Sequence, residues 1–426
     1  MKLKSFKTTI EVQGDKSISH RSIILSSLAK GKTKITNLLK ADDVLNTVEI
    51  FKQLGATIRF KENVTTVNGV GLHHLQEPEQ ILNVGNSGTG LRLITGILAG
   101  QSFNSFLTGD QSIVKRPMKR IITPLSKMGA LIYGKDKNSK APLCVVGKSK
   151  LKAITYKMPV ASAQVKSALL LAGLFVRGQT RIIEPMPSRD HTERMFEYFG
   201  LPIKREENVI TFNGPASEFE GKSIFVPGDI SSANYFIILT LLKKNSTLTI
   251  KNVGLNPTRT GLLDILKSIN ANIKIKNVKM KNNEPLGDIE CFYSPNMKPF
   301  VIEKDMVPNV IDDIPILAIL ASQIKGESYF YDVEELRYKE SDRIKAIVSN
   351  LKKIGVKAYE TKRGFVVKGG SGKLKPAHIK SFYDHRIVMS FYIAEMVLGL
   401  GLDFDSDESV KTSFPNFFQI LRGLNE

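Results

Sequence analysis

Two cations and three hydroxyls crowd into one short stretch near the start of the chain, Gly14-Asp15-Lys16-Ser17-Ile18-Ser19-His20-Arg21-Ser22. Ile18, Ile23, Ile24, Leu25 and Leu28 follow at helical spacing, so the stretch predicts a helix with Ser17 or Ser19 as its cap. Lys16 would stand at the mouth of that helix and Arg21 about one turn in. A helix start already carries unpaired N–H groups and a partial positive charge. Cations and hydroxyl donors added there make a pocket for a phosphate or a carboxylate. Alone, the string equally describes a capped surface helix with solvated basic residues.

The same placement recurs along the chain. Before the most apolar helical stretches stand Asn86-Ser87-Gly88, Ser162-Ala163-Gln164, Asp229-Ile230-Ser231-Ser232, Asp312-Asp313 and Asp384-His385-Arg386. Before the amphipathic ones stand Arg116-Pro117-Met118, Arg189-Asp190-His191-Thr192, Lys339-Glu340-Ser341-Asp342-Arg343 and Lys411-Thr412-Ser413. Capping accounts for Ser and Asp at such positions, and Asp42, Asp43 and Asp190 are expected to be caps. It does not account for Lys16, Arg92, Arg116, Arg189, Lys339, Arg343, Arg386 and Lys411, because a cation opposes the helix dipole unless an anion is bound. Breaches of a local rule are expected at functional sites.

The elements that position these residues repeat. Helices end in Leu54-Gly55-Ala56, Met128-Gly129-Ala130, Phe199-Gly200-Leu201, Ile269-Asn270-Ala271, Ile354-Gly355-Val356 and Arg422-Gly423-Leu424, at intervals of about 70 residues. Gly or Asn there is the left-handed residue expected just past a helix. Each unit also carries an earlier, more apolar helix: Ser19 to Ala29, Thr89 to Ala99, Ala163 to Leu174, Ser231 to Leu242, Ile314 to Ser322 and Arg386 to Leu398. The chain reads as six strand–helix–strand–helix units with extra strands, three per domain, with a boundary near Pro227-Gly228-Asp229. Equivalent units would point their helix N-termini one way, and facing domains would aim them into one cleft.

A chain of 426 residues with 42% hydrophobic and 24% charged residues is an ordinary globular protein, long enough for two domains. The longest apolar run, Leu169 to Val176, is too short to cross a bilayer, and no leader is expected behind Met1-Lys2-Leu3-Lys4. Two cysteines, Cys144 and Cys291, supply neither a disulfide framework nor zinc spacing, which suits a cytoplasmic location. The six histidines are too scattered for a metal site, so no metal and no cofactor are expected. A net charge of +20 suits nucleic acid or small anions. No basic tract is interleaved with aromatics, and Asp312, Glu340 and Asp384 stand among the cations, where they would repel a phosphate backbone. Small anionic ligands are the expectation, with no nucleic-acid or membrane partner.

Taken together, Gly14 to Arg21, Gly85-Asn86-Ser87-Gly88-Thr89, Lys115-Arg116-Pro117-Met118, Ser162-Ala163-Gln164-Val165-Lys166-Ser167, Arg337 to Arg343 and Asp384-His385-Arg386 resemble the 5-enolpyruvylshikimate-3-phosphate synthase family, in order and over nearly the whole chain. The resemblance implies a two-domain enolpyruvyl-transferase fold, an inside-out α/β barrel of six βαβαββ repeats. Residues 14–228 would form the first domain and residues 1–13 with 229–426 the second, the active site lying in the cleft between them. It implies transfer of the enolpyruvyl group of phosphoenolpyruvate to the 5-hydroxyl of shikimate 3-phosphate by a monomer. Lys16, Ser17, Arg21, Ser162, Ala163 through its backbone, Gln164, Arg189, Asp312 and Lys339 would hold shikimate 3-phosphate. Lys16, Gly88, Arg116, Gln164, Arg343, Arg386 and Lys411 would surround phosphoenolpyruvate. Glu340 would donate the proton, with Lys16 sharing that role, and Asp312 would accept one. Gly88 occupies the place where the resemblance links Ala to glyphosate insensitivity, so glyphosate is expected to compete with phosphoenolpyruvate.

The residue types fit that chemistry. A donor with a phosphate and a carboxylate needs several Arg and Lys, and Arg suits planar oxyanions. Protonation of C3 needs an acid still protonated near neutral pH, which like charge and burial would give Glu340. Glu335 replaces a polar Asn of some family members, so that contact is not carried over; the roles of Glu335 and His385 stay open. A related family, the UDP-N-acetylglucosamine enolpyruvyl transferases, places Asn after the first Lys and often a reactive Cys on a loop. Here Ser17 follows Lys16 and Cys144 stands outside any motif.

Overall fold

A computed structural model describes residues 3–147 and 150–424. The chain divides into two compact units, Gly14–Val226 with Met280–Glu284, and Met1–Gln13 with Pro227–Lys279 and Pro285–Glu426. The division falls at Val226 and Pro227, and the hairpin tip Met280–Glu284 goes with the first unit although its strands start and end in the second.

In the first unit three helices are buried on nearly every side: Lys16–Leu28, Gly88–Leu98 and Ala163–Gly173. The second and third are apolar on nearly every side, while the first also buries Ser19, His20, Arg21, Ser26 and Ser27. The second and third approach backbone to backbone, because a Cβ on Gly96 would lie 2.3 Å from the carbonyl of Ala168. Asp42–Gln53, Lys119–Lys127 and His191–Phe199 bury one face and show the other to solvent. Three four-stranded sheets cover this framework. One runs Ser223–Phe225, Lys30–Thr36, Val64–Val70, Thr57–Lys61, with a parallel pair at one edge and antiparallel pairs beyond it. The sheets Leu82–Asn83, Ser105–Thr108, Lys140–Val146, Leu131–Gly134 and Thr155–Lys157, Gly178–Ile183, Val209–Gly214, Ile203–Glu206 repeat that order.

The second unit repeats the plan around Ile230–Leu242, Ile314–Gln323 and His385–Leu398. Its first sheet takes Lys7–Glu11 as the parallel edge strand beside Thr247–Gly254, with Ile10 opposite Ile250, which ties the first residues to the C-terminal part of the chain. Its last repeat is reduced to two strands, His378–Ile379 and Asp403–Phe404. Each unit encloses its own apolar core.

The repeat read from the sequence is present: Gly55, Gly129, Gly200, Asn270 and Gly355 all adopt positive φ. Gly423 does not follow the rule, being the last residue of the Phe417–Gly423 helix. The caps are also reassigned. Asp15, not Ser17 or Ser19, caps the first helix, its Oδ1 accepting from the Ile18 N–H at 2.9 Å. Ser19 is buried and accepts instead from the Leu39 N–H. Asp42 and Asp43 lie in the first turn of their helix without a capping bond, and Asp190, though at the N-cap, makes none. Asp43 and Asp190 carry the charge of a nearby Lys or Arg, which a short carboxylate does better than it caps once a cation is in reach.

Candidate active site

The residues singled out in the sequence fall into two sets, one in each unit. In the first unit Lys16 opens the Lys16–Leu28 helix with its Nζ 3.0 Å from Asp43 Oδ2. Arg21, 3% exposed, is held by neutral oxygens. Its Nε donates to Thr192 Oγ1 at 2.6 Å, Nη1 to the carbonyl of Ser17 at 2.9 Å and Nη2 to Ser167 Oγ at 2.7 Å. Burial pulls its guanidinium down to about 10, the like charge of Arg189 adding to that and Glu193 and Asp15 opposing it. A guanidinium so placed has a strong interest in an arriving anion.

Around the start of the Gly88–Leu98 helix, Arg92 donates from Nη1 to Gln164 Oε1 at 2.6 Å and from Nη2 to the carbonyl of Pro117 at 3.2 Å. Gln164 Nε2 donates to Thr89 Oγ1 at 3.0 Å, and Arg116 Nη2 to Asn86 Oδ1 at 3.0 Å. A Cβ on Gly88 would stand 2.9 Å from Arg92 Nη1 and 3.0 Å from Arg116 Nη1, so both guanidinium groups close over this glycine. Ser162 caps the Ala163–Gly173 helix, leaving Ala163 and Gln164 in its first turn. Behind these residues His20 joins two further helices: Nδ1 lies 2.8 Å from Thr47 Oγ1 in the Asp42–Gln53 helix, and Nε2 3.3 Å from Ser87 Oγ at the start of the Gly88–Leu98 helix. Burial, then Lys16 and Arg21, lower its pKa to about 3, which keeps the ring neutral. Arg189 is half-buried at the turn before the His191–Phe199 helix.

In the second unit a single arginine gathers the acids. Arg343 is 1% exposed. Its Nη2 donates to Glu340 Oε2 at 2.5 Å, its Nε to Asp384 Oδ2 at 2.8 Å, and its Nη1 lies 3.5 Å from Asp312 Oδ1. Burial works against its charge, but Asp384, Glu340 and Asp312 outweigh that and hold its pKa above the ordinary arginine value. Asp384 is fully buried, caps the His385–Leu398 helix at the Arg386 N–H and also accepts from Ser341 Oγ. Against the penalty of burial, Arg343 brings the Asp384 pKa below the usual carboxylate value. Arg386 Nη1 donates to the carbonyl of Asp312 at 2.7 Å, and Lys339 Nζ lies 3.6 Å from Asp312 Oδ1. Burial lowers the Lys339 pKa, with Asp312 resisting.

Asp312, Lys339, Glu340, Arg343 and Arg386 thus form one connected group. Lys411 is not tied into it by any bond among the described residues, and lies exposed on the Glu408–Thr412 turn. Glu340 also differs from expectation in its surroundings. Like charge was expected to keep it protonated; the structure sets it against a cation, with Asp384 on the same guanidinium. Three residues were passed over, two in the site and one behind it. Asp384 and Arg92 orient others, and Lys166 is buried at 1% exposure with Glu184 and Glu193. A lysine inside Val165 to Leu171, an otherwise greasy helix, is the signal that was available, since a buried charge demands a partner.

The architecture is that of an enolpyruvyl transferase. The solved enolpyruvyl transferase NikO from Streptomyces tendae superposes with a TM-score of 0.78 over 99% of this chain and 95% of its own at 14% identity, so the fold is shared where the sequence hardly is. Sequence narrows the class. The family model for EPSP synthase (3-phosphoshikimate 1-carboxyvinyltransferase) matches residues 2–421. A 3-phosphoshikimate 1-carboxyvinyltransferase of Petrotoga mobilis is 47% identical over 99% of this chain and 98% of its own. An EPSP synthase structure from Acinetobacter baumannii is 40% identical, with a TM-score of 0.86 over 99% and 96% of the two chains. The chain belongs to the EPSP synthase family, and is a transferase. No helix among the described residues is long and apolar enough to cross a membrane, and no group of metal-ligating side chains is assembled among them.

Proposed function

We propose that the two sets of residues serve one pair of substrates, phosphoenolpyruvate and shikimate 3-phosphate, and that the chain moves the enolpyruvyl group from the first to the 5-hydroxyl of the second with release of phosphate. The observation that carries this reading is the connection of Asp312 and Glu340 through Arg343: two carboxylates, suited to taking and giving a proton, on one buried guanidinium. Membership of the EPSP synthase family supports the same reaction, a step of aromatic amino acid biosynthesis.

In this reading Arg21, Arg189, Lys16, Ser17, Ser162, Gln164 and the backbone at Ala163 receive shikimate 3-phosphate, with Asp312 and Lys339 at its ring. Arg116, Gly88, Lys16, Gln164, Arg343, Arg386 and Lys411 receive phosphoenolpyruvate. Contact with Arg343 favours the carboxylate form of Glu340 in the free protein. When the donor's anionic groups take over part of that guanidinium, Glu340 loses cationic support and gains a like charge, and both changes favour its proton. Glu340, assisted by Lys16, then protonates C3 of phosphoenolpyruvate, and C2 becomes electrophilic. Asp312 accepts the proton of the 5-hydroxyl as its oxygen bonds to C2, giving a tetrahedral intermediate. Glu340 next removes a proton from C3 as the C2–O bond to phosphate breaks, so the double bond returns and phosphate leaves. One chain carries every residue named, so a monomer suffices. Cys144 and Cys291 are both unpaired, which suits the cytoplasm.

The test is phosphate release from phosphoenolpyruvate, run first with shikimate 3-phosphate and then with UDP-N-acetylglucosamine. Release with the first alone is expected; release only with the second would overturn the reading. In Glu340→Gln, exchange of the C3 protons with solvent should be lost. Full exchange in that variant would remove Glu340 from the role of acid.

A further inference from the structure

Beneath Arg21 lies a charged cluster that takes no part in the chemistry above. Lys166 Nζ sits 2.8 Å from Glu184 Oε2, 2.7 Å from Glu193 Oε1 and 3.3 Å from the carbonyl of Ser188. Ser188 Oγ donates in turn to Glu184 Oε1. The side chains of Lys166, Glu184 and Glu193 are 1%, 4% and 1% exposed. Stability is a poor reason for such a group, since replacing a buried ion cluster with well-packed apolar residues is often neutral or favourable.

Its position in the chain supplies a better one. Lys166 precedes Ser167, and Glu193 follows Thr192; Ser167 and Thr192 are the two hydroxyls that hold Arg21 and bond to each other at 2.6 Å. Ser188 precedes Arg189. The lysine therefore pins three separate segments, the Ala163–Gly173 helix, the turn at Ser188 and the His191–Phe199 helix, next to Ser167 and Thr192, which aim Arg21, and next to Arg189. Formally one positive and two negative charges meet here; burial raises the Glu193 pKa while Lys166 holds it down, and Glu193 in turn favours the charge of Arg21. Glu193 does not touch Arg21, whose contacts are Ser17, Ser167 and Thr192, and donors of the guanidinium fork stay available for a ligand.

We propose that Lys166, Glu184 and Glu193 are positioning residues for the acceptor's phosphate, fixing Arg21 and Arg189 in place and supplying a negative layer behind them that steadies their charge while the subsite is empty. This rests on the reading of Arg21 and Arg189 as the phosphate subsite. A displacement near 1 Å at such a position costs up to about a hundredfold. The cluster should therefore act on the acceptor and hardly on the donor.

The experiment uses the full-length protein with Glu193→Gln, which keeps a hydrogen bond to Lys166 but removes the charge, and the neutral triple variant Lys166→Met, Glu184→Gln, Glu193→Gln. For each, both KM values and kcat are measured. KM for shikimate 3-phosphate should rise about tenfold or more, while KM for phosphoenolpyruvate and kcat at saturating acceptor move by less than about twofold. Should the triple variant not fold, Glu193→Gln carries the test. Equal losses for both substrates, or an unchanged acceptor KM in a folded variant, would overturn the proposal. If the wild-type protein releases no phosphate from the substrate pair, the functional reading has failed by itself. Calorimetric binding of inorganic phosphate to wild type and Glu193→Gln then decides: weaker binding in the variant supports the positioning role, and equal binding overturns it.

Discussion

The two units share one plan of buried helices capped by polar residues, yet they treat buried arginines in opposite ways. Arg21 in the first unit is fastened by two hydroxyls and a carbonyl, which steer it without cancelling its charge. Arg343 in the second is surrounded by Glu340, Asp384 and Asp312, which cancel its charge and more. The difference teaches that a cation at a helix start can be kept in two states. Neutral partners leave it as a trap for an anion; acidic partners turn it into a holder for groups that move protons.

The largest test of this contrast removes each arginine. Arg343→Ala strands the buried Asp384 and the partly buried Glu340 and Asp312, and should cost about 3–5 kcal/mol of stability, with activity lost as well. Arg21→Ala strands only hydroxyls and a carbonyl, so denaturant unfolding should show a far smaller loss while the acceptor KM climbs steeply. Comparable destabilisation by both would erase the distinction. A smaller effect is expected at Gly88→Ala. The added methyl presses on the ends of Arg92 and Arg116, side-chain atoms rather than backbone but held by Gln164, Pro117 and Asn86, and Ala suits a helix better than Gly, so stability should change by no more than about 1 kcal/mol. The donor KM should rise about tenfold with the acceptor KM little changed, and sensitivity to glyphosate should fall with it. An unchanged donor KM would mean that the two guanidinium groups do not meet the donor.

An effect that shows only on acidification concerns His20. Its folded pKa, about 3, lies below the unfolded value of 6.5, so the unfolded chain binds the proton first. The stability it contributes is complete above about pH 6.5 and is lost as pH falls toward about 3, at no more than about 1.4 kcal/mol per pH unit. Urea unfolding of wild type and His20→Gln across that window should show a shallower acid slope in the variant. Parallel slopes would show that the buried ring does not set it.

Much of this was legible in the chain. The repeat near 70 residues, the apolar helices at Lys16–Leu28, Gly88–Leu98 and Ile230–Leu242, and the crowding of Lys and Arg at helix starts all follow from periodicity and from the electrostatics of a helix end. Caps were less legible. Asp15, Ser17 and Ser19 are all good capping types, and only the backbone angles at Asp15 choose among them. The Lys166 cluster was hidden because its partners come from segments whose packing no local pattern announces.

By itself the sequence determined where charge would collect, because helix starts and apolar spacing are properties of neighbours along the chain. The tertiary structure decided what each charge would meet. Arg21 finds its oxygens 146 and 171 residues away, and Arg343 finds Asp384 after 41. Such partners are selected by how buried helices lock together, and a hydrogen bond that tolerates only tenths of an ångström is fixed at that level and no earlier.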